Sequence, residues 1–284
     1  MHDILTTHDG LALRLTAWPA PGAASPHGTV LLVHGLGEHA GRYAHVAAAL
    51  NAAGWAVLAF DQRGHGDSAG AQGDIAEPDS LLRDLAAVVD EARRRRPGPL
   101  VLLGHSMGGL VAARFVAEAL QPAPAAWARP VEALVLSSPA LDPGVNAVQQ
   151  LLLAVVPRLL PHLRVGNGLQ PAWISRDPAV VQAYQADARV HDRISGLLGR
   201  FIAQEGQVVL DAVPRWALPT LLMWAGADRC VRPAGSATFA ARAPVAVVTS
   251  REWPGLAHEI FNEPEKAQVL AELTRWLAER FPSP

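Results

Sequence analysis

Six short apolar runs, at residues 29–33, 56–60, 100–103, 134–136, 220–224 and 245–249, pass without the polar alternation of a half-exposed strand. Runs of this length read as strands buried on both faces. Helical patterns lie between several of them. The clearest sets Leu81, Leu82, Leu85, Val88, Val89 and Ala92 on one face, with Asp79 or Ser80 available as cap. Strands alternating with helices imply a parallel sheet joined by right-handed crossovers. Asp9-Gly10, between two extended stretches, predicts a hairpin and so an antiparallel pair at one sheet edge. The chain ends in a helical pattern, with Val269, Leu270, Leu273, Trp276 and Leu277 as its apolar face.

The alternation stops between about Asp142 and Asp211, where proline-broken helical stretches replace strands. Since a strand pattern resumes at Thr220, the chain divides into a core of residues 1–141 and 212–284 and a helical cap inserted at 142–211. At 284 residues, half of them apolar, one domain with such an insertion buries a large core.

Gly104-His105-Ser106-Met107-Gly108 follows one of the apolar runs and precedes a helical pattern. That is the context in which G-x-S-x-G marks a serine held on a sharp strand-to-helix turn, with glycines where side chains would collide with neighbouring elements. A serine hydroxyl needs a base to become a nucleophile, and the base needs an acid to orient it. On α/β-hydrolase sheets the chain order is Ser, then Asp or Glu, then His. His258, in the loop after Pro254-Gly255-Leu256-Ala257, is the histidine that lies beyond the candidate acids. Asp228 is the last aspartate and follows the run at 220–224; Glu252 and Asp142 also follow strands and are its rivals. The expected triad is Ser106, Asp228 and His258. The expected oxyanion donors are the backbone N–H of Met107 and that of Leu36, in the loop His34-Gly35-Leu36-Gly37 after the strand at 29–33.

Together, Val33-His34-Gly35-Leu36-Gly37-Glu38-His39-Ala40-Gly41-Arg42-Tyr43, Phe60-Asp61-Gln62-Arg63-Gly64-His65-Gly66-Asp67-Ser68, Gly104-His105-Ser106-Met107-Gly108-Gly109, Gly226-Ala227-Asp228-Arg229 and Ala257-His258 resemble the monoacylglycerol lipase and lysophospholipase-like group of α/β-hydrolases. The likeness spans nearly the whole chain and includes Ser175-Arg176-Asp177-Pro178 in the insertion. It implies a helical cap over an apolar acyl tunnel and ester hydrolysis through an acyl-serine intermediate, without cofactor or metal. It also implies that Glu38, Arg42 and Tyr184 lie near a glycerol head group. Phe261 stands where the lipase has a second histidine, so it too is an expected substrate contact, and the departure bears on glycerol recognition while leaving ester hydrolysis untouched. A monoacylglycerol, a lysophospholipid or another single-chain ester is the expected substrate. The residues alone leave open a short-chain carboxylesterase, an amide or peptide hydrolase of the same fold, and a receptor that uses the cleft only for binding.

Other features read more plainly. Arg93 to Arg96 end an amphipathic helix, where cations favour the helix dipole, and the net charge of -2 gives no reason to expect nucleic acid. His258-Glu259 lacks the second histidine of a zinc motif, since position 262 is Asn262. Asp61 to Ser68 read as a shaped turn beside the active site. Cys230, the single cysteine, fits a reducing compartment, and no apolar run is long enough to span a bilayer, so the expected location is cytoplasmic. Leu151 to Val156, with Leu159 and Leu160, are more apolar than an ordinary exposed helix. They can line the acyl tunnel, make transient contact with a membrane surface, or do both.

Overall fold

The computed structural model describes residues 2–19, 26–144, 153, 155 and 157–282. The apolar runs form the middle of an eight-stranded sheet. Its strands are β1 (His2–Thr6), β2 (Ala12–Trp18), β3 (Thr29–Val33), β4 (Ala56–Phe60), β5 (Leu100–His105), β6 (Ala133–Ser137), β9 (Thr220–Ala225) and β10 (Val248–Trp253). They lie side by side in the order β1-β2-β4-β3-β5-β6-β9-β10. The β1–β2 and β2–β4 pairs are antiparallel and the rest are parallel. The expected hairpin is present: Gly10 takes φ 82°, and Thr7 and Leu11 close the turn with Thr7 N donating to Leu11 O.

Why the runs are unbroken is visible in the packing. Along β3, Leu31 and Val33 face one core while Val30 and Leu32 face another. Along β5, Leu100 and Leu102 oppose Val101 and Leu103, and along β9, Leu222 and Trp224 oppose Leu221 and Met223. Each strand still alternates with period two, but both faces are dry, so both sets of residues are apolar. One face is covered by α2 (Ser80–Arg95), α3 (Met107–Glu118), α5 (Gly196–Ala212) and α6 (Pro233–Arg242). The other is covered by α1 (Ala44–Ala52) and α7 (Lys266–Arg280). In α2 all six residues of the expected stripe are buried; Asp79 is its N-cap, though without a side-chain bond, while Ser80 Oγ accepts from Glu77 N.

Two expectations are corrected. The last strand begins at Val248 rather than Val245, because Val247 N and Val248 N both turn back to Pro244 O and Val245 is left exposed. As an edge strand, β10 needs no continuous apolar run, and Thr249-Ser250-Arg251-Glu252 face solvent. Between β6 and β9 the chain is not purely helical. Along with α4 (Pro178–Ala186) it contains two three-residue strands, β7 (Arg164–Gly166) and β8 (Arg193–Ser195), paired antiparallel. Strands this short carry no readable periodicity. They add nothing to the eight-stranded sheet. No helix among the described residues is long and apolar enough to cross a membrane.

On the first face Trp216, Phe239 and Thr220 form one buried joint. The two rings meet edge to face at 5.0 Å, and the indole N–H donates to Thr220 Oγ1 at 2.8 Å. Phe239→Ala should cost about 3–5 kcal/mol in urea unfolding, the range for removing a buried phenyl ring.

Candidate active site

The parallel strands all present their carboxyl ends to one edge of the sheet, where open α/β sheets gather their sites. There β5 passes into α3 through Ser106, whose φ of 53° is rare for a residue with a Cβ. The turn is locked from both sides. Ser106 N donates to Ser137 O, and its own carbonyl accepts from Leu110 N and Ala140 N, each at 3.0 Å. A Cβ on Gly108 would lie 2.2 Å from Val33 O, and one on Gly104 would lie 2.5 Å from Gly108 O. The glycines of the motif are therefore set by backbone-to-backbone contact between β3, β5 and α3.

The loops after β9 and β10 complete a chain of hydrogen bonds. Ser106 Oγ donates to His258 Nε2 at 2.8 Å, and His258 Nδ1 donates to Asp228 Oδ2 at 2.7 Å. Asp228 Oδ1 in turn accepts from Cys230 N and Val231 N. The rivals lie elsewhere: Asp142 Oδ1 accepts from Gly144 N, and neither it nor Glu252 bonds His258. The Leu36 and Met107 N–H groups have no protein acceptor among the described residues, and Leu36, Ser106 and Met107 line one cavity.

Burial is the largest influence on His258 and disfavours the imidazolium, but the charge and hydrogen bond of Asp228, with Glu259 and Glu38, outweigh it and raise the pKa above 6.5. The neighbouring His105 ring, 4.8 Å away, is driven the other way. Burial first and then the His258 charge bring it down to about 3, so it stays neutral beside the imidazolium.

Ser106 opens onto two cavities. One, of about 350 Å³, is the more polar of the two, with Glu38, Asn167, Gln170, Tyr184, Asp187 and Glu259 among its lining residues. The second, of about 740 Å³, runs between Leu153, Pro157, Leu163, Val165, Ile194 and Ile202. Glu38 does more than face the first cavity: its Oε1 accepts from Gly35 N and from Tyr43 OH, both at 2.6 Å, and so fixes the His34-Gly35 peptide at the start of that loop. Arg42 bonds Glu38 and grips Glu259 with two bonds of 2.6 and 2.7 Å while its guanidinium sits 4.8 Å from the centre of the Tyr184 ring. It lines neither cavity.

Phe261 is corrected as a substrate contact. It is buried in the second core with Trp253, Leu256 and Ile260, and only its carbonyl is engaged, by His45 Nε2. Asp61 to Ser68 line neither cavity, as a shaping role requires. Asp61 accepts from Ala40 N and Asp67 N, and Arg63 is held by Asp84 at 2.6 and 2.7 Å.

Two residues that sequence reasoning passed over are prominent. Glu259 is the carboxylate that Arg42 grips, and Glu263 ties the His258 loop to residues 175–176. Their only sequence signal is nearness to His258. Among the described residues, the ligating atoms of Asp228, Cys230 and His258 lie within 4.8 Å of one another, close enough for a metal. Both carboxylate oxygens and both ring nitrogens are already hydrogen-bonded, however. Burial, and then the Asp228 charge, push the Cys230 thiol well above its usual range, so it is protonated at neutral pH and a poor nucleophile.

Chains with this sheet order and this strand–serine–helix turn are α/β-hydrolases, and this protein is one of them, a serine hydrolase. A family model described as Hydrolase_4, serine aminopeptidase S33, matches residues 24–265, and the chain belongs to that family. It is 36% identical over 256 residues to a monoacylglycerol lipase of Mycolicibacterium smegmatis, covering 89% of this chain and 88% of that one. An uncharacterized abhydrolase domain-containing protein of Dictyostelium discoideum is 32% identical over 97% of this chain, which spans only 29% of that longer protein. Among solved structures, Paleococcus ferrophilus monoacylglycerol lipase superposes with a TM-score of 0.82 at 33% identity, over 94% of this chain and 99% of that one. The resemblance read from the motifs is thus borne out over most of the chain.

In a proton NMR titration, the ring signal of His258 should shift with a midpoint above 6.5, while that of His105 should show no midpoint down to pH 4. Replacing Asp228 by Asn should move the His258 midpoint down, since the group that raises it is lost.

Proposed function

We propose that the chain hydrolyses single-chain carboxylic esters, monoacylglycerols foremost, with Ser106 as nucleophile, His258 as general base and acid, and Asp228 as the group that orients it. The observation that carries this reading is the placement of Ser106 between a large apolar cavity and a smaller, more polar one. An acyl chain suits the first and a polyol suits the second.

In the first half of the reaction, Ser106 Oγ passes its proton to His258 Nε2 and bonds to the ester carbonyl carbon. The oxyanion formed is held by the Leu36 and Met107 N–H groups. As the intermediate collapses, the departing alcohol takes the proton from His258 and leaves acyl-Ser106. Water then attacks with the same assistance, the acid is released and the serine hydroxyl is restored. The raised pKa of His258 sets the sign of the pH dependence: the base must be neutral, so kcat/KM falls as pH drops through a value above 6.5.

The polar cavity favours a neutral head group over a phosphate. Glu38, Asp187, Asp192 and Glu259 line it, and no arginine or lysine does so among the described residues. Those carboxylates also support a second reading, in which they hold the free amine of an aminoacyl substrate. That reading fits less well because the carboxylates are already engaged. Arg42 holds Glu38 and Glu259, His39 and Arg189 hold Asp187, and Arg193 holds Asp192.

Residues 142–211 are in this reading a lid. Leu153, Pro157, Leu163 and Val165 line the apolar cavity; Leu163 and Val165, with Val155, Leu159 and Leu160, are also 45–74% exposed, an apolar surface suited to a lipid interface. Residues 151, 152, 154 and 156 of the expected apolar stretch lie outside the described residues.

Assay of the wild type and Ser106→Ala on 1-monoacylglycerols, lysophospholipids, p-nitrophenyl esters of graded length and an aminoacyl anilide tests all of this. The expected order is monoacylglycerol first, anionic lysophospholipid well behind and anilide at background. Loss of the serine should cost on the order of a million-fold in kcat. Preference for the anilide would overturn the ester reading, and retention of activity by the alanine variant would overturn the triad.

A further inference from the structure

Two carboxylates fasten the His258 segment to the lid: Glu265 bonds only the Arg176 guanidinium, while the buried Glu263 also reaches the His258 loop itself. Glu263 is 0% exposed, and its two oxygens accept four hydrogen bonds. Oε1 accepts from Ser175 Oγ at 2.7 Å and Arg176 N at 2.6 Å; Oε2 accepts from Arg176 Nε at 2.6 Å and Ala257 N at 2.8 Å. A fifth bond runs alongside, from Glu259 N to Ile174 O at 2.8 Å. Burial favours the neutral acid, but the Ala257 N–H and the Arg176 guanidinium outweigh it and lower the Glu263 pKa, so the group is an anion with its lone pairs occupied.

The two ends of this clamp matter. Ala257 immediately precedes His258, so its peptide sets where the imidazole starts. Ser175 and Arg176 lie between Trp173, which lines the apolar cavity, and α4, whose Tyr184 lines the polar one. The segment that walls both cavities and the loop that aims the imidazole are therefore one hydrogen-bonded unit. Glu263 touches neither cavity.

We propose that Glu263 is a positioning residue, holding His258 in line with Ser106 while residues 174–176 are seated, so that the state of the lid governs the competence of the base. This rests on the reading of His258 as general base. It differs from a purely structural role in one respect: disturbing the lid end of the clamp should slow the chemistry on a substrate too small to touch the lid.

Glu263→Gln, Arg176→Ala and the double variant should be assayed on p-nitrophenyl acetate and on a monoacylglycerol, with active sites counted by a fluorophosphonate probe. Arg176 is part-exposed, with a side-chain exposure of 44%, so its variant keeps the test open if Glu263→Gln folds poorly. Each single variant should lose roughly 10- to 100-fold in kcat per active site, the cost of a reacting group misplaced by about an ångström, with KM for acetate nearly unchanged. The acid limb of the pH profile should move down as the Asp228–His258 contact loosens, and the double variant should be no worse than the poorer single one. Wild-type kcat per active site in both single variants, beside inactive Ser106→Ala and His258→Ala, would overturn the positioning role alone. Activity in the His258→Ala variant would overturn the underlying reading instead.

Discussion

Ser106 is held at φ 53°, a conformation that costs a residue with a Cβ on the order of 1–3 kcal/mol and persists only where surrounding structure over-determines it. The surroundings here are backbone. Val33 and His34 carbonyls pass so close to Gly108 that no side chain fits, and Ser137, Leu110 and Ala140 engage the Ser106 peptide on either side. The turn therefore depends on the register of β3, β5 and β6, and that register depends on both faces of the sheet being packed. The hydroxyl is presented at the sheet edge because the sheet core is rigid beneath it.

Around that turn the buried charges follow one rule: each carboxylate is saturated. Glu38 fixes the His34-Gly35 peptide, Asp228 holds the imidazole and caps its own loop, and Glu263 joins the His258 loop to residues 175–176. A buried charge short of partners is strongly destabilising, so these groups define loop geometry as sharply as packing does. The His105–His258 pair follows the same logic: one ring is kept neutral by burial so that the other can carry charge.

The central strands were legible in the sequence because β3, β4, β5, β6 and β9 are dry on both sides, which leaves no position along them for a solvated polar side chain. The edge strand β10 was misjudged, since its position releases it from that requirement. Nothing in the sequence signalled β7 and β8, too short for a period to register. Chain order picked out Ser106, Asp228 and His258, and the fold brings them within hydrogen-bonding distance. Phe261 was drawn toward the substrate by its place in a motif, yet an apolar side chain beside Trp253 and Ile260 is better buried than lining a polar cavity.

Local chemistry in the chain thus signalled the central strands and the order of the candidate triad residues, since an unbroken apolar run and the spacing of G-x-S-x-G are both read from neighbours in sequence. What only the tertiary structure decided are the relations between distant loops. Arg42 meets Glu259 across 217 positions and Arg176 meets Glu263 across 87. The two cavities at Ser106 arise where residues between β6 and β9 meet the loops at the sheet edge. Pairings of this kind depend on which loops end at the same edge, and a surface arginine or glutamate looks the same in sequence whether it is solvated or clamped.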